Sequence, residues 1–561
     1  MTTVRRIACF AVLCTLGYCG MAQQAGNPFD FAIALSGNFG ELRPNHLHSG
    51  LDFKTQQREG HPVHAVRDGY VSRVAVSPWG YGNVIYMTHP DSTVSVYAHL
   101  QRFADSVAAA VKARQYEAES FQVDLALPPG QFAFGRGEVI GYSGNSGSSG
   151  GPHLHFEVRD GRTGEALDPL PLYRERVADT RAPRLRALMI CPSEGLGVVN
   201  GSAEKRRLLP VTDRDGGISF RDSVEAWGRI GFAVCADDYM DGASNVYGVK
   251  EMTVSVDGEE VFHSCLDRFS LDESRYINAW IDYEEWIERR RFYVKTFVEQ
   301  GNHFRFITSR NRGYVTVDEA RTYRIDFRLT DGFGNTCRFA LNVTGKEQAI
   351  PAPDTEGTTP FYRHGENRFG ASGVRLHIPA GSLYGHFYFR YGAEADSTGV
   401  AGIHVLHDRP VALHRPARLS LRLLREGGAD GRQYGIVALR GGRQSWIGGV
   451  YRDGWIDAEI GELGRYTVCI DSVAPVITPV NRARWTASQT IAFRLTDNLS
   501  GIHAWRATID GAYALFALDG KKGLISCAFD PERLTRGKHT LRLTVTDACG
   551  NQAVHETDFT W

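Results

Sequence analysis

Nowhere in this chain do two cysteines stand as a CxxC pair, and charge of neither sign dominates. Its 63 Lys and Arg balance 64 Asp and Glu, a net charge of -1, so no broad basic field exists to hold nucleic acid or another polyanion. Cys9, Cys14 and Cys19 fall in an N-terminal apolar stretch. The other seven, Cys191, Cys235, Cys265, Cys337, Cys469, Cys527 and Cys549, are scattered without metal-ligand spacing. That argues against a cysteine-based metal site, and an odd number leaves at least one thiol outside any disulfide. Long apolar runs are also missing beyond the first two dozen residues, so no transmembrane span is expected. The N-terminal stretch has Arg5 and Arg6, an apolar run from Ile7 through Leu16, then Gly20-Met21-Ala22. It reads as a signal peptide over residues 1–22, and Tyr18 is too large to precede a lipid-modified Cys19. The mature protein is therefore expected to be exported, to a periplasm, the cell envelope or outside the cell. Almost nothing lies between the signal and the first domain, so no inhibitory pro-segment is expected.

Against these absences stand 42% hydrophobic and 11% aromatic residues over 561 positions, enough for several cores and too many for disorder. The most informative stretch is Gly147 to Arg159, GSSGGPHLHFEVR. A glycine-serine loop leads through Pro152 into an alternating segment. In an extended strand His153 and His155 share one face while Leu154 and Phe156 share the other. A catalytic zinc needs about three protein ligands. Upstream, HSGLDF offers His48 and Asp52, whose even spacing also shares a face if extended, with Gly50 easing close backbone approach. Between these clusters VYAHL places His99 near the end of a strand-like run.

The ordered set HxGxD, YAHL and GPHLHFEV resembles the lysostaphin/LytM-type zinc endopeptidases that cut peptides of bacterial cell walls. HPVHAVRDGYVSRV, WGYGNVIYMTH and GEVIGYSGNSGSSGG look like the family's flanking text. The resemblance covers roughly the first quarter to third of the chain, and no residue the family requires is missing. It implies His48, Asp52 and His155 as ligands of one zinc ion, and His99 and His153 as catalytic histidines, their individual roles open. A zinc centre activates water, while a nearby imidazole takes up or returns a proton. The expected function is a secreted zinc endopeptidase acting on peptidoglycan stem peptides or cross-links. The alternative is a non-hydrolytic envelope scaffold or activator of another wall hydrolase; a peptidase acting on proteins or foreign walls is a third option. Lacking a basic wall-targeting module, the sequence leans toward the direct cross-link of thin-walled bacteria.

The expected fold class is mainly β: an antiparallel-sheet metallopeptidase domain over 27–175, then β-sandwich accessory domains. Residues 101–136 form an insert following His99, alanine-rich and helical in its first half, loop or strand in its second, which could wall the groove or decorate the surface. An internal repeat follows. DTRAPRL (from Asp179) is echoed by DSVAPVI (from Asp471), and LTDGFGN (from Leu329) by VTDACGN (from Val545). These read as two immunoglobulin-like modules, 179–346 with an aromatic, partly helical insert around 272–312, and 471–561. Residues 347–357 are a proline-containing linker, and 358–470 a further accessory β domain. The accessory domains are expected to bind wall or envelope protein partners. Acidic turns such as Asp237-Asp238 and Asp331 are read as plain turn residues rather than calcium ligands. His46, His61, His64 and His89 are read as surface or loop histidines. The histidines of the third domain (His364, His377, His386, His404, His407 and His414) show no ligand-like grouping.

Overall fold

The computed structural model describes residues 25–395, 400–425 and 430–561. The expected signal peptide and its cleavage site lie outside the described residues. Strands dominate throughout, and nearly all pair antiparallel. Among the described residues no helix is long and apolar enough to cross a membrane.

The first domain is built on one sheet whose path runs Leu35–Gly37, Leu51–Lys54, His153–Asp160, Thr93–Leu100, Asn83–Thr88, Gly69–Val76 and Val123–Ala126. Alternation fixes its two faces. Leu51, Phe53, Leu154, Phe156, Tyr97 and Ile85 are fully or almost fully buried on the core side. There Phe156 meets Tyr97 and Phe53 edge-on, with ring centroids 5.4 and 5.9 Å apart, a packing that adds to the area these rings bury. His153, His155 and Glu157 consequently share the other face. A three-stranded sheet of Pro62–His64, Val139–Tyr142 and Arg102–Phe103 completes the domain.

The insert after His99 forms the helix Asp105–Glu117 and then the edge strand Val123–Ala126, which pairs with Gly69–Val76. Its helix is a platform for the last domain. Lys112 pairs with Asp530 at 2.8 Å, Glu119 with Arg506, and Arg533 lies 3.7 Å over the Tyr116 ring.

Ala166–Leu167 pairs with Arg268–Phe269, so the first sheet continues into the second domain. That domain's long strands, Arg184–Val199 and Glu225–Asp237, fold over a core shared with Thr322–Thr330 and Thr336–Gly345. Its insert is helical at Ile277–Trp280 and Tyr283–Arg289, the latter capped by Asp282, which accepts the Glu285 N–H. The insert reaches both neighbouring domains: Ser274 Oγ accepts the Leu47 N–H at 2.7 Å, and Arg275 donates to the Leu413 carbonyl at 3.0 Å. A six-stranded and a five-stranded sheet enclose the third core, and two four-stranded sheets the fourth. No disulfide links the seven cysteines among the described residues.

Two of the histidines outside the cluster are buried. His89 lies in a loop, as expected, but is buried, its Nε2 2.7 Å from Ser95 Oγ and its Nδ1 2.9 Å from the Asp68 carbonyl. His404 is also buried, bonded to Tyr391 OH at 2.8 Å. A satisfied polar partner inside the fold explains each one.

Candidate metal centre

Strand register brings the candidate residues together. His155 lies directly opposite Asp52 on one side and Ala98, next to His99, on the other. His48 arrives differently from the expected extended run. The strand begins only at Leu51, after a bend at Gly50, and His48 follows the short Leu42–Leu47 hairpin. Gly50 is required at that bend: a Cβ there would stand 2.1 Å from the Phe156 carbonyl oxygen.

Three atoms converge. His48 Nε2 is 3.1 Å from Asp52 Oδ1 and 2.9 Å from His155 Nδ1, and His155 Nδ1 is 2.9 Å from Asp52 Oδ1. Tetrahedral ligands at zinc bond lengths of ~2.0–2.1 Å would be ~3.3 Å apart, so the triangle is close to the right size for one ion. The outward nitrogens set the tautomers that binding needs. His48 Nδ1 donates to the Asn38 carbonyl at 2.6 Å, leaving Nε2 bare toward the cluster. His155 Nε2 donates to Glu157 Oε1 at 2.8 Å, which orients Nδ1 inward. The donor set, two imidazoles and a carboxylate, suits zinc chemistry.

Burial alone would strip His155 of its proton. Its bonds to Asp52 and Glu157 reverse that and raise its pKa to about 9. His48, equally buried, is pushed down to about 4 against the pull of Asp52. Asp52 and Glu157 are held well below the ordinary carboxylate range despite burial, the first chiefly by His48, His153 and His155, the second by His155 and Arg159.

His153 and His99 flank this triangle. His153 Nδ1 donates to the Gly151 carbonyl at 2.9 Å, and its Nε2 lies 3.4 Å from Asp52 Oδ1. His99 takes a left-handed backbone, φ 61°, and its Nδ1 donates to the Ser146 carbonyl at 2.9 Å. The two rings are 4.8 Å apart. Burial, with His155 and His153 close by, lowers the His99 pKa to about 3, so it is neutral at ordinary pH. In each ring the Nδ1 bond leaves Nε2 free of a backbone partner. His46, His61 and His64 stay outside the cluster: His46 is exposed, and His64 pairs with Asp30 at 3.0 Å.

The sequence reading missed the supporting shell. Glu157, fully buried, also accepts Ser49 Oγ at 2.6 Å, Tyr81 OH at 2.5 Å and Arg159 Nε at 2.6 Å. Arg43, on the hairpin before His48, binds Asp52 Oδ2 at 2.5 Å and leaves Oδ1 for the cluster. Glu157 continues the 153–155–157 alternation and was readable from that; Ser49 and Tyr81 come from a loop and a turn and Arg43 from a two-residue strand, too short to show a period, and were not. Beyond Tyr81 a 390 Å³ depression follows the sheet face, lined by Tyr86, Arg73, Asp124 and Trp79. At its end the last domain leans in: Trp79 packs against Gly520, and Lys521 Nζ donates to Asn145, on the loop leading to His153.

An antiparallel sheet presenting a buried His–Asp–His triangle beside two further histidines defines a metallopeptidase-type domain. The comparisons give its family. The profile of peptidase family M23 matches residues 46–124, and that of the Zu5-like domain matches residues 358–471. The DD-carboxypeptidase/endopeptidase Mpg of Neisseria meningitidis serogroup B is 32% identical over 124 residues, 22% of this chain and 22% of that protein. Lysostaphin of Staphylococcus simulans is 30% identical over 131 residues, 23% of this chain and 22% of that one. Its solved catalytic domain is 24% identical with a TM-score of 0.19, covering 25% of this chain and 92% of that one. The murein hydrolase activator EnvC of Escherichia coli is 32% identical over 115 residues, 20% and 21% of the two chains. The match thus spans about a fifth of the length of these curated relatives. The first domain is a peptidase M23 domain of the lysostaphin/LytM type.

Proposed function

We propose that this protein is an exported zinc endopeptidase that hydrolyses peptide bonds in the stems or cross-links of peptidoglycan. The observation carrying the reading is the convergence of His48 Nε2, Asp52 Oδ1 and His155 Nδ1 within 3.1 Å, with neither ligand nor flanking histidine missing. A zinc ion held by these three would supply Lewis-acid polarisation of a peptide carbonyl and activation of water. The chain's own groups do the rest. His153 turns Nε2 toward that space, 3.4 Å from Asp52 Oδ1, and the His99 ring lies 4.8 Å from it; there a neutral imidazole accepts a proton and an imidazolium returns it to the leaving amine. Ser146 and Gly151 carbonyls fix both rings by their Nδ1–H bonds.

Mpg and lysostaphin by name act as peptidases, which supports the enzyme reading. EnvC by name activates another hydrolase, which is the alternative reading for this domain. Digestion of purified peptidoglycan by residues 23–561, with products resolved by mass spectrometry, separates the two. Loss of cross-linked dimers, abolished by chelator and by His153→Ala, is the expected result. Intact sacculi at every zinc concentration overturn the enzyme reading in favour of the activator.

A further inference from the structure

Both repeat modules gather three aspartates that lie far apart in sequence: Asp179, Asp238 and Asp331 in the second domain, and Asp471, Asp497 and Asp547 in the fourth. In each triad the carboxylate oxygens lie within 4.8 Å of one another. Four of the six side chains are at most 3% exposed. None forms an ion pair among the described residues. Asp238, 1% exposed, has an Oδ1 with no hydrogen-bond partner, and the same holds for Asp179 Oδ2 and, in the other triad, Asp497 Oδ1. Arg181, the nearby cation, instead donates to the Met240 carbonyl and stacks on Tyr239.

The scaffold is duplicated to the atom. Asn335 donates Nδ2 to Asp331 Oδ2 at 2.8 Å and to the Asp179 carbonyl at 3.1 Å. Asn551 donates to Asp547 Oδ2 at 2.7 Å and to the Asp471 carbonyl at 3.0 Å. Backbone N–H groups of the same turns hold Asp331 Oδ1 and Asp547 Oδ1. One oxygen set is thus locked while another points unpaired into the triad. Buried, uncompensated carboxylates are costly and call for a counter-charge. Burial, with Asp331 and Asp179 adjacent, pushes Asp238 up to about 8, so without a cation the cluster must hold protons.

We propose that each triad binds one calcium ion. The donors are all oxygen, the preference of a hard cation rather than zinc. Calcium accepts six to eight oxygens at ~2.3–2.6 Å in a flexible shell, so oxygens up to ~5 Å apart can share it, whereas magnesium demands near-ideal octahedral geometry; oxygens within 4.8 Å of one another lie inside calcium's reach. The sites sit at domain seams. Asp179 follows the end of the first domain, and the Asp331 turn touches it through the Arg174 bond to the Phe333 carbonyl. Asp471 ends the Zu5-like match, and Asn551 Oδ1 accepts Gln433 Nε2 of that domain at 2.9 Å. Calcium would therefore tie each seam residue to two loops of the following module and set the module's orientation.

The test uses residues 23–561, stripped of metal, reloaded with one equivalent of zinc, and titrated with calcium in a calorimeter. Two further equivalents are expected, with Kd on the order of 10⁻⁴–10⁻³ M as in extracellular calcium modules, and a higher Tm with calcium. Asp238→Asn and Asp497→Asn should each remove one equivalent, and the double variant both. Asparagine keeps the shape and removes repulsion, so calcium-free Asp238→Asn should melt no lower than the parent. No uptake at millimolar calcium, unchanged stoichiometry in either variant, or an earlier calcium-free melt of Asp238→Asn each overturns the assignment.

Discussion

Replacing Glu157 by glutamine isolates what the buried support behind His155 contributes. The carboxylate is fully buried and accepts four donors, from His155, Ser49, Tyr81 and Arg159. An amide keeps the volume but brings its own NH2, and one donor must then face another. If it faces His155 Nε2–H, the imidazole shifts its proton to Nδ1, the nitrogen that points at Asp52. Supporting partners of this kind are worth 10–100-fold in metal affinity, or ~1.4–2.7 kcal/mol. Tyr81→Phe removes one bond but keeps the charge, for a smaller loss of about 1 kcal/mol. Zinc affinity measured by competition with a chromophoric chelator, beside a thermal melt showing each variant folded, gives the comparison. A folded Glu157→Gln protein binding zinc within twofold of the parent would refute the role given to this shell.

Gly50→Ala should abolish zinc binding while leaving the accessory domains folded, because the added Cβ meets the Phe156 carbonyl at 2.1 Å; metal content and circular dichroism of the purified variant check it. Zinc uptake at pH 7 should expel about one proton, since His155 keeps its proton up to about 9 in the metal-free site. Apparent affinity then rises with pH and levels off near 9, read as buffer-dependent heats in calorimetry; heats independent of buffer contradict it. Gly520→Val combined with Lys521→Glu should free the last domain from the first, since a Cβ at Gly520 stands 2.4 Å from the Trp79 ring. Small-angle scattering should show a larger radius of gyration, and an unchanged radius speaks against this docking.

The convergence of His155 with Asp52 was legible because strand alternation writes one face of a sheet directly into sequence. His153, His155 and Glu157 stand at every second position, with Leu154, Phe156 and Val158 between them. His48 was found for a different reason from the one that places it: its spacing suggested a continuous strand, and a bend at Gly50 does the work instead. Ser49 and Tyr81 reach the site from a loop and a turn, and Arg43 from a two-residue strand, where no period marks direction. The aspartate triads show the same limit. Each acid reads locally as a turn residue, and only the fold brings Asp179 to Asp238 and Asp331. The insert's part in holding the last domain depends on partners such as Arg506 and Glu119, separated by 387 positions.

That last contact turns a string of four domains into a closed circuit. First touches second through a shared sheet, second touches third through Arg275 and Leu413, third touches fourth through Gln433 and Asn551, and fourth returns to first at Trp79 and Lys112. In an open string a single hinge can swing one end freely. In a circuit, rotation at one seam must be matched at the other three, so the domain carrying the metal triangle cannot reorient alone. The circuit closes at the Lys521–Asn145 contact, on the loop leading to His153, beside the depression at Trp79.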